Sequence, residues 1–512
     1  MDSIALSLFV KRLSSICGEM GATLRRAALS PNIKDRLDYS CALFDARGEL
    51  CAQAAHIPVH LGSMAFAMRG IVSQVDWQAG DMIIVNDPYL GGTHLPDVTV
   101  VAPLFVDGMC VAFVANRAHH ADIGCVRPGS MPLSRTLDEE GLVLAPRHLL
   151  RAGVADAEMH ALLAARLRNP QATLADLAAQ ISSNRIGLER LGALHESLGA
   201  AAFASGLGEV NDYAEALARS ALQNLPAGTY HYEDTLDGDG IVAGPVRLKV
   251  AVTLGGGRAQ VDFSGSAAQV AGNVNCPLAV TAAAVYYVFY SLMSRDTPPC
   301  AGSLRPLDIV APSGSVLNAV RPAAVAAGNC ETSQRIVDVL LGALAQALPR
   351  ALPAASNGSM NNVAMGGAGW DYYETIGGGT GAHAGGAGLD AVHSHMTNTL
   401  NTPVEVLEMN YPLRIRRYAI RRGSGGAGRH RGGDGIERCY EFLGDASVTV
   451  LSERRDTAPW GLAGGDAGAC GRNALNDTPL AGKCELDLTA GARLSIMSAG
   501  GGGWGQAESP SE

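Results

Sequence analysis

Residues 86–124 read NDPYLGGTHLPDVTVVAPLFVDGMCVAFVANRAHHADIG. Two apolar runs rich in β-branched residues, Val98–Val106 and Met109–Ala115, flank the dipeptide Asp107-Gly108. Asp-Gly between two such runs is the strongest short-range signal for a two-residue β-hairpin turn. The sequence therefore predicts an antiparallel hairpin, and the rest of the fold is read outward from it.

Polar side chains cluster at the open end of this hairpin. They are His94, Asp97, His119, His120 and Asp122. If Asp107 and Gly108 are the loop residues, facing positions sum to 215, so that Asp97 faces Ala118 and Pro96 faces His119. Facing residues lie roughly 4.5–5.5 Å apart. We therefore expect the residues before and after the hairpin to approach one another.

Imidazole and carboxylate groups together suit Zn²⁺, Mn²⁺, Fe²⁺ or Co²⁺. The sequence predicts a divalent metal site with ligands drawn from His94, Asp97, His119 and His120. Adjacent residues of an extended chain point to opposite faces, so the choice between His119 and His120 stays open. Asp38 is a candidate fourth ligand, with a strand-entry carboxylate as the equal alternative. The competing interpretation of the whole cluster is a set of solvated loop residues.

His56 and His60 form a weaker candidate pair. Pro58 interrupts a helix between them, and an extended chain would place them roughly 13 Å apart. Cys330 stands in the polar stretch AAGNCETSQR, but we expect a buried thiol rather than a nucleophile. No GxSxG motif is present, which disfavours a serine hydrolase.

Elsewhere the patterns predict helices and antiparallel strands. Helical spacing covers 3–29, 155–222, 278–294 and 332–348; strand patterns cover 41–53, 82–85 and 228–265. The expected fold is a mixed α/β (α+β) chain of antiparallel hairpins and helical segments, without a Rossmann or P-loop nucleotide domain, since no GxxxxGK[ST] occurs. Four sub-regions are expected: 1–150 with the metal-site hairpins, 151–225 helical, 226–350 mixed, and 351–506 with glycine-rich strands and loops.

Composition narrows the class of protein. The 512 residues carry 39 Lys+Arg and 49 Asp+Glu, a net charge of −10 with no basic run, which argues against nucleic-acid binding. The 11 cysteines form no CxxC pair and indicate reduced thiols and a cytoplasmic setting. The most apolar window, Leu278–Met293, falls short of a membrane span and predicts a buried helix.

Several long blocks of the chain resemble the hydantoinase B/oxoprolinase family. They are DRLDYSCALFD, HIPVHLGSM, NDPYLGGTHLPD, ANRAHHADIGCVRPGSMP, GNCETSQRIVDVLLGAL, NTPVEVLEMNYPL, LSERRDTAPWGLAGG and the closing GGGGWG. The similarity extends over about residues 3–506. It identifies the chain as a single hydantoinase B/oxoprolinase-type unit.

The resemblance implies a metal site and a partner. Family ligands carried over by motif fall on Asp38, His94, Asp97 and His119, with Asp35 as the less favoured alternative to Asp38. The expected cofactor is one divalent metal, Zn²⁺ or Mn²⁺. The expected partner is an A-type, actin-like subunit that binds ATP and Mg²⁺, in an assembly such as a dimer of heterodimers.

Family members are subunits of ATP-dependent cyclic-amide hydrolases, which implies ring opening of a hydantoin, 5-oxoproline or another lactam. The partner would phosphorylate the amide oxygen, and the metal would supply hydroxide to the activated carbon. His120 or Asp122 would orient or deprotonate that water. The alternatives are a metal subunit of an ATP-dependent ketone carboxylase and a non-catalytic scaffold.

Overall fold

The computed structural model describes residues 1–55 and 57–507. The helices are α1 (Ser3–Ala27), α2 (Pro31–Lys34), α3 (His60–Val72), α4 (Ala157–Arg166), α5 (Pro170–Leu198), α6 (Ala200–Gln223), α7 (Leu278–Ser291), α8 (Ala301–Leu304), α9 (Ser333–Ala345) and α10 (Val404–Asn410). A π-helical turn, Gly328–Thr332, leads directly into α9.

The strands follow the same chain order. They are β1 (Tyr39–Asp45), β2 (Leu50–Ala55), β3 (Met82–Val85), β4 (Asp97–Val106), β5 (Met109–His119), β6 (Arg147–Arg151), β7 (Val154–Ala155), β8 (Gly228–Leu236), β9 (Val246–Gly255), β10 (Arg258–Asp262), β11 (Leu307–Val310), β12 (Asn362–Gly367), β13 (Trp370–Glu374), β14 (Leu413–Arg421), β15 (Gly435–Phe442), β16 (Ala446–Leu451), β17 (Arg472–Leu475), β18 (Thr478–Leu480), β19 (Lys483–Leu488) and β20 (Arg493–Met497).

These strands form four sheets. Their orders are β2-β1-β5-β4-β3-β6-β7, β11-β10-β9-β8, β13-β12-β16-β19 and β14-β15-β20-β17-β18. Among the described strands, β10 and β11 are the one parallel pair. The predicted mixed α/β fold with antiparallel sheets is confirmed, and these sheets are unlike the parallel sheet of a doubly wound nucleotide domain.

Helix α1 shows how sequence pattern becomes packing. Its buried side chains, among them Phe9, Leu13 and Met20, recur at helical spacing and form one face. Asp2 caps the helix start by accepting a hydrogen bond from the Ala5 amide at 2.7 Å. The helix therefore begins at Ser3 and ends at Ala27, close to the predicted 3–29 segment.

The seven-stranded sheet is covered on both faces. Helices α1 and α5 pack against one face, where Val98, Val100 and Val114 join the largest hydrophobic cluster. Phe44 and Phe113 belong to a second cluster with residues of α3. Strands buried on both faces have no solvent side, which explains the near-continuous apolar runs in their sequences.

The central hairpin forms as predicted, but its register differs by one residue. Asp107 and Gly108 both have positive φ, as a type I′ turn requires. An irregularity between Leu104 and Phe105 then shifts the pairing, so that Asp97 faces His119. The predicted pairing of Asp97 with Ala118 is therefore wrong, because a β-bulge adds one unpaired residue to the return strand.

Two further cores complete the structure. The sheet of β8–β11 packs against α7 and α9, and the predicted buried helix at 278–294 is α7. The last two sheets share a third core, in which Tyr440 and Ile496 are fully buried. Within 1–55 and 57–507, every helix is too short or too polar to cross a bilayer.

The glycine-rich segments near the C-terminus pack backbone against backbone. A Cβ atom at Gly379 would lie 1.8 Å from the Gly433 carbonyl oxygen, and one at Gly501 would lie 2.0 Å from the Thr380 oxygen. The Gly433 amide donates to Thr380, and the Gly501 amide donates to Gly433. The absence of a side chain is what permits these close approaches.

Candidate metal centre

Three adjacent strands carry the candidate ligands to one edge of the seven-stranded sheet. Asp97 opens β4 and faces His119, the last residue of β5. Asp38 directly precedes β1, and its carbonyl oxygen accepts a hydrogen bond from the His119 amide at 3.1 Å. His94 lies in the turn before β4, and the Asp97 amide donates to its carbonyl oxygen at 3.1 Å. Local strand pairing therefore assembles the cluster.

His94, Asp97 and His119 place three ligand atoms around one point. Asp97 Oδ1 lies 3.2 Å from His94 Nε2 and 3.1 Å from His119 Nδ1, and the two nitrogens are 3.3 Å apart. Tetrahedral zinc with bonds of about 2.0–2.1 Å holds its ligand atoms roughly 3.3 Å apart. All three residues are buried, so the donor set fits a divalent cation in spacing, chemistry and desolvation.

A second group shares the same aspartate. Asp38, His60 and Asp97 also offer ligand atoms within 4.8 Å of one another. His60 Nε2 lies 3.3 Å from Asp97 Oδ2, and His60 Nδ1 lies 3.0 Å from Ser40 Oγ. Thr93 Oγ1 also donates to Asp97 Oδ2, at 2.5 Å. Asp97 is therefore the centre of both groups, and Asp38 rather than Asp35 belongs to the cluster.

His60 belongs to the cluster, although the sequence offered it only as part of a weaker candidate pair. The spacing of that pair assumed an extended chain over 56–60, whereas the backbone turns at Pro58 and His60 is the first residue of α3. His60 is completely buried. The other member of that predicted pair, His56, lies outside the described residues. The signal that could have found His60 is its position just before the apolar residues of a helix.

The electrostatics of the cluster favour a shared positive charge. Burial raises the pKa of Asp97, but His94 and His60 oppose this and hold that pKa well below its usual value. Burial lowers the pKa of His94, and the Asp97 carboxylate reverses the shift, so that the His94 pKa is raised. Burial also lowers the pKa of His119, which favours a neutral imidazole with a free lone pair. A bound cation would accept the lone pair of His119 and balance the negative charge of the Asp97 carboxylate.

A buried carboxyl group, Glu140, fixes the orientation of His94. Its Oε1 accepts hydrogen bonds of 2.8 Å from Ser134 Oγ and from the Val325 and Ala326 amides. The Ala326 carbonyl oxygen lies 3.3 Å from His94 Nδ1 and accepts its proton, so Nε2 is the nitrogen directed towards Asp97 and available to a metal that displaces its proton. Burial raises the pKa of Glu140 to about 7. Nothing in the local sequence around Glu140 signals this role.

The cluster borders a cavity of about 20 Å³. The Tyr373 ring stacks on His119 with centroids 4.6 Å apart, and its hydroxyl donates to Asn362 Oδ1 at 2.6 Å. Cys330 also lines this cavity, and burial raises its pKa well above the usual value. Cys330 is a buried free thiol, as the sequence predicted. A space of this size holds one ion or one water molecule.

His120 and Asp122 are not brought to the cluster. His120 Nε2 donates to Gln180 Oε1 at 3.0 Å, on the opposite side of the strand from His119. The oxygens of Asp122 accept from the Gly124 amide at 2.9 Å and the Asn169 amide at 2.8 Å. Both side chains line a neighbouring, larger cavity. The water-orienting role predicted for them stays a prediction without a contact to support it.

Comparisons with known proteins agree with this architecture. A family model described as Hydantoinase B/oxoprolinase matches residues 2–507. An uncharacterized protein of Methanocaldococcus jannaschii is 42% identical over 99% of this chain and 91% of its own length. The 5-oxoprolinase 1 of Arabidopsis thaliana is 39% identical over 98% of this chain, which spans only 42% of that protein. The B-type subunit of a putative D-/L-hydantoinase from a Pseudomonas species is 31% identical, with 99% and 90% covered.

Solved structures show the same fold. The ATP-dependent caprolactamase from Pseudomonas jessenii superposes with a TM-score of 0.91 at 27% identity, covering 99% of this chain and 91% of that chain. An acetone carboxylase superposes with a TM-score of 0.90 at 18% identity, covering 98% and 76%. At that identity the second similarity concerns the fold alone.

Proposed function

Because the chain belongs to the hydantoinase B/oxoprolinase family, we propose that it is the metal-bearing B-type subunit of an ATP-dependent hydrolase that opens cyclic amides. One observation carries the proposal: ligand atoms of His94, Asp97 and His119 lie 3.1–3.3 Å apart in a buried site. We propose Asp38, which forms a second group with His60 and the same Asp97 carboxylate, as the fourth ligand. Two imidazoles and two carboxylates suit Zn²⁺ or Mn²⁺.

A cyclic amide resists attack because resonance stabilises its carbonyl group. The A-type partner would use ATP and Mg²⁺ to phosphorylate the amide oxygen, releasing ADP and leaving a more electrophilic carbon. A divalent cation at the cluster would supply the Lewis acidity that makes water a nucleophile near neutral pH. Attack of one water at the activated carbon and cleavage of the C–N bond would give an acyl phosphate with a free amine. A second water would hydrolyse this acyl phosphate to phosphate and the ring-opened carboxylate.

The side chains of this subunit would position the reacting groups. His60 Nε2 and Thr93 Oγ1 both bond Asp97 Oδ2, which directs Oδ1 towards the two imidazoles. His94 is held through Ala326 with Nε2 facing the same point. Burial excludes bulk water, which strengthens these interactions and protects a reactive phosphorylated amide from non-productive hydrolysis.

A substrate ring requires more space than the structure offers. The cavity at the cluster has a volume of about 20 Å³, whereas ligand pockets span roughly 300–1,000 Å³. Met396, Thr397 and Thr399 line it from a segment without helix or strand. We propose that this segment moves aside when the A-type subunit delivers the activated ring. That step would make the partner necessary for turnover and would couple ATP use to ring opening.

Relatives support the partner subunit. One relative is named as one subunit of a hydantoinase, and another, 5-oxoprolinase, is more than twice as long as this chain. A longer protein of that kind has room for a second catalytic unit in the same polypeptide. We propose a stable heteromer, such as a dimer of heterodimers, with the chain inactive alone.

The test is reconstitution of this chain with an A-type subunit of the same family. ADP release and substrate consumption are measured with hydantoin, 5-oxoproline, caprolactam, acetone and acetophenone, each with and without bicarbonate. We expect one lactam to be opened without bicarbonate, and His94→Ala to abolish the reaction. His231→Ala, at an exposed strand position, is the matched control and should retain activity.

The outcomes separate the competing functions. Ring opening at the wild-type rate by a metal-free His94→Ala complex would overturn the proposed role of the cluster. Bicarbonate-dependent consumption of acetone or acetophenone would identify a ketone carboxylase instead. A purified chain that binds no metal yet stimulates its partner would identify a scaffold.

A further inference from the structure

A second cavity lies on the far side of the strand that carries His119. Its volume is about 330 Å³, large enough for a small organic molecule. Five chain segments form its wall: 29–32, 120–122, 169–176, 369–372 and 410–411. The cavity shares no lining residue with the cavity at the metal cluster, so the two could bind different ligands.

Buried polar atoms in this wall lack partners. Ser30 Oγ, His120 Nδ1 and Asp371 Oδ2 have no hydrogen-bond partner anywhere in 1–55 and 57–507. His120 is 1% exposed, and the Asp371 side chain is 4% exposed. Unpaired buried polar atoms cost free energy, so each one indicates an absent ligand or solvent.

The hydrogen bonds of the neighbouring atoms leave two of these atoms unused. Gln180 Nε2 donates to the Val98 carbonyl and to Asn116 Oδ1, so Gln180 Oε1 faces His120 and accepts from its Nε2. The other ring nitrogen of His120, Nδ1, has no partner among the described residues. Asp371 Oδ1 accepts a hydrogen bond from the Gly129 amide and forms an ion pair with the Arg168 guanidinium, each at 3.3 Å. Its second oxygen, Oδ2, is left as an unused acceptor.

The charge around the cavity is negative. Asp122, Asp176 and Asp371 line it, and Arg168 is paired with the last of these. Asp122 caps the first amide before α5 and so offsets the positive end of that helix. Burial raises the pKa of Asp371 to about 6, and the nearby Asp122 carboxylate adds to the shift. A positive ligand would relieve this repulsion between carboxylates.

Aromatic rings form another part of the wall. Trp370 and Tyr411 both line the cavity, with ring centroids 5.7 Å apart. Aromatic faces attract cations and also accommodate an alkyl chain. We propose that this cavity, formed by Asp371, Asp176, His120 and the Trp370–Tyr411 pair, binds the ammonium group of a small organic amine. The proposal does not depend on the metal cluster or on the proposed hydrolase activity.

The test is calorimetric titration of the full chain with n-butylammonium chloride, 1-butanol and sodium butyrate. We expect butylammonium to bind saturably at one site, and the neutral and anionic probes to bind at least about tenfold more weakly, because charge-assisted hydrogen bonds are the strong ones. His94→Ala should keep the butylammonium affinity, which places the site away from the metal cluster.

Two variants locate the site. Asp371→Asn removes the unused carboxylate oxygen, and Asp176→Asn removes a charge but keeps the oxygen that accepts from the Leu29 and Ser30 amides. Each should weaken butylammonium binding about tenfold, whereas Asp445→Asn, at an exposed position, should not. If Asp371→Asn fails to fold, Asp176→Asn decides.

Four results would overturn the proposal. Butanol binding as tightly as butylammonium would indicate an apolar cavity, and butyrate binding more tightly would indicate an anion site. The other two results are an unchanged butylammonium affinity in both folded variants and the absence of saturable butylammonium binding to the wild-type chain. A loss of ring opening with butylammonium binding intact would instead concern the metal cluster alone.

Discussion

Replacing Glu140 tests how the metal centre is held in place. Glu140 Oε1 accepts three hydrogen bonds from Ser134 and from the 325–326 backbone, which orients His94. Glu140→Ala would leave three buried donors without an acceptor. Glu140→Gln is the matched control, because its amide keeps an oxygen at the Oε1 position while removing the charge.

The expected magnitudes follow from these contacts. Three unpaired donors cost about 6 kcal/mol in total. Because burial raises the pKa of Glu140 to about 7, its ionised form destabilises the folded protein above neutral pH. Removing the carboxylate therefore raises the free energy of unfolding by about 3 kcal/mol at such pH. We therefore expect Glu140→Ala to lower the free energy of unfolding by about 3 kcal/mol at pH 8. Glu140→Gln should not lower it.

Metal affinity is the more specific readout. Loss of a group that orients a metal-binding histidine lowers affinity about 10- to 100-fold. We expect that loss for Glu140→Ala in zinc titrations against a chromophoric chelator, with Glu140→Gln close to wild type. Wild-type affinity in both variants would refute the orienting role of the 325–326 backbone. An equal loss in both would show that the charge of Glu140 matters instead of its hydrogen bonds.

Three further predictions concern Glu331, His60 and two glycines. Burial raises the pKa of Glu331 to about 7, so the folded protein favours the protonated carboxyl group. As the pH rises from 4.5 to 8, the free energy of unfolding of the wild type should therefore fall by about 3 kcal/mol relative to that of Glu331→Gln. Urea unfolding measures this, and a difference between the two midpoints that does not change with pH would contradict it. His60→Ala should weaken zinc binding at least about tenfold in calorimetry, because the Asp97 carboxylate loses the hydrogen bond that orients it. An unchanged zinc affinity would show that His60 does not orient Asp97. Gly381→Ala, whose Cβ would lie 1.8 Å from the Ala354 oxygen, should lower the melting temperature, whereas Gly18→Ala, in open space on a helix, should raise it; the reverse order would contradict the packing.

The sequence predicted the parts of the site that depend on local pairing. Asp107-Gly108 specifies a tight turn, and the two strands beside it carry Asp97 and His119 to the same edge. The one-residue register error arose from the irregularity at Leu104. A bulge depends on side-chain packing in the folded sheet, which a count from the turn does not contain.

Contacts between distant segments could not be predicted in this way. Glu140 reaches His94 through the backbone at 325–326, nearly two hundred residues further along the chain. His60 reaches Asp97 only because the chain turns into α3 at that residue. Such contacts depend on how whole helices and strands pack together. Hydrophobic periodicity predicts where each helix or strand lies in the sequence, but it does not predict which of them become neighbours.

The glycine-rich segments illustrate the same limit. The composition of 351–506 predicted glycine-rich strands and loops, and in the structure the glycines of these loops lie against the backbone of other segments. The partners of each glycine, such as Gly433 for Gly379, come from segments far apart in sequence. A glycine that accommodates another backbone is indistinguishable in sequence from one that provides a flexible turn.

The central claim is that His94, Asp97 and His119 bind one divalent cation. Its most direct test is elemental analysis of the chain purified from zinc- and manganese-supplemented cultures, beside Asp97→Asn. We expect about one equivalent of a single metal in the wild type and less than about 0.1 in the variant, because the central carboxylate is lost. A metal-free wild type, or stoichiometric metal in Asp97→Asn, would contradict the account.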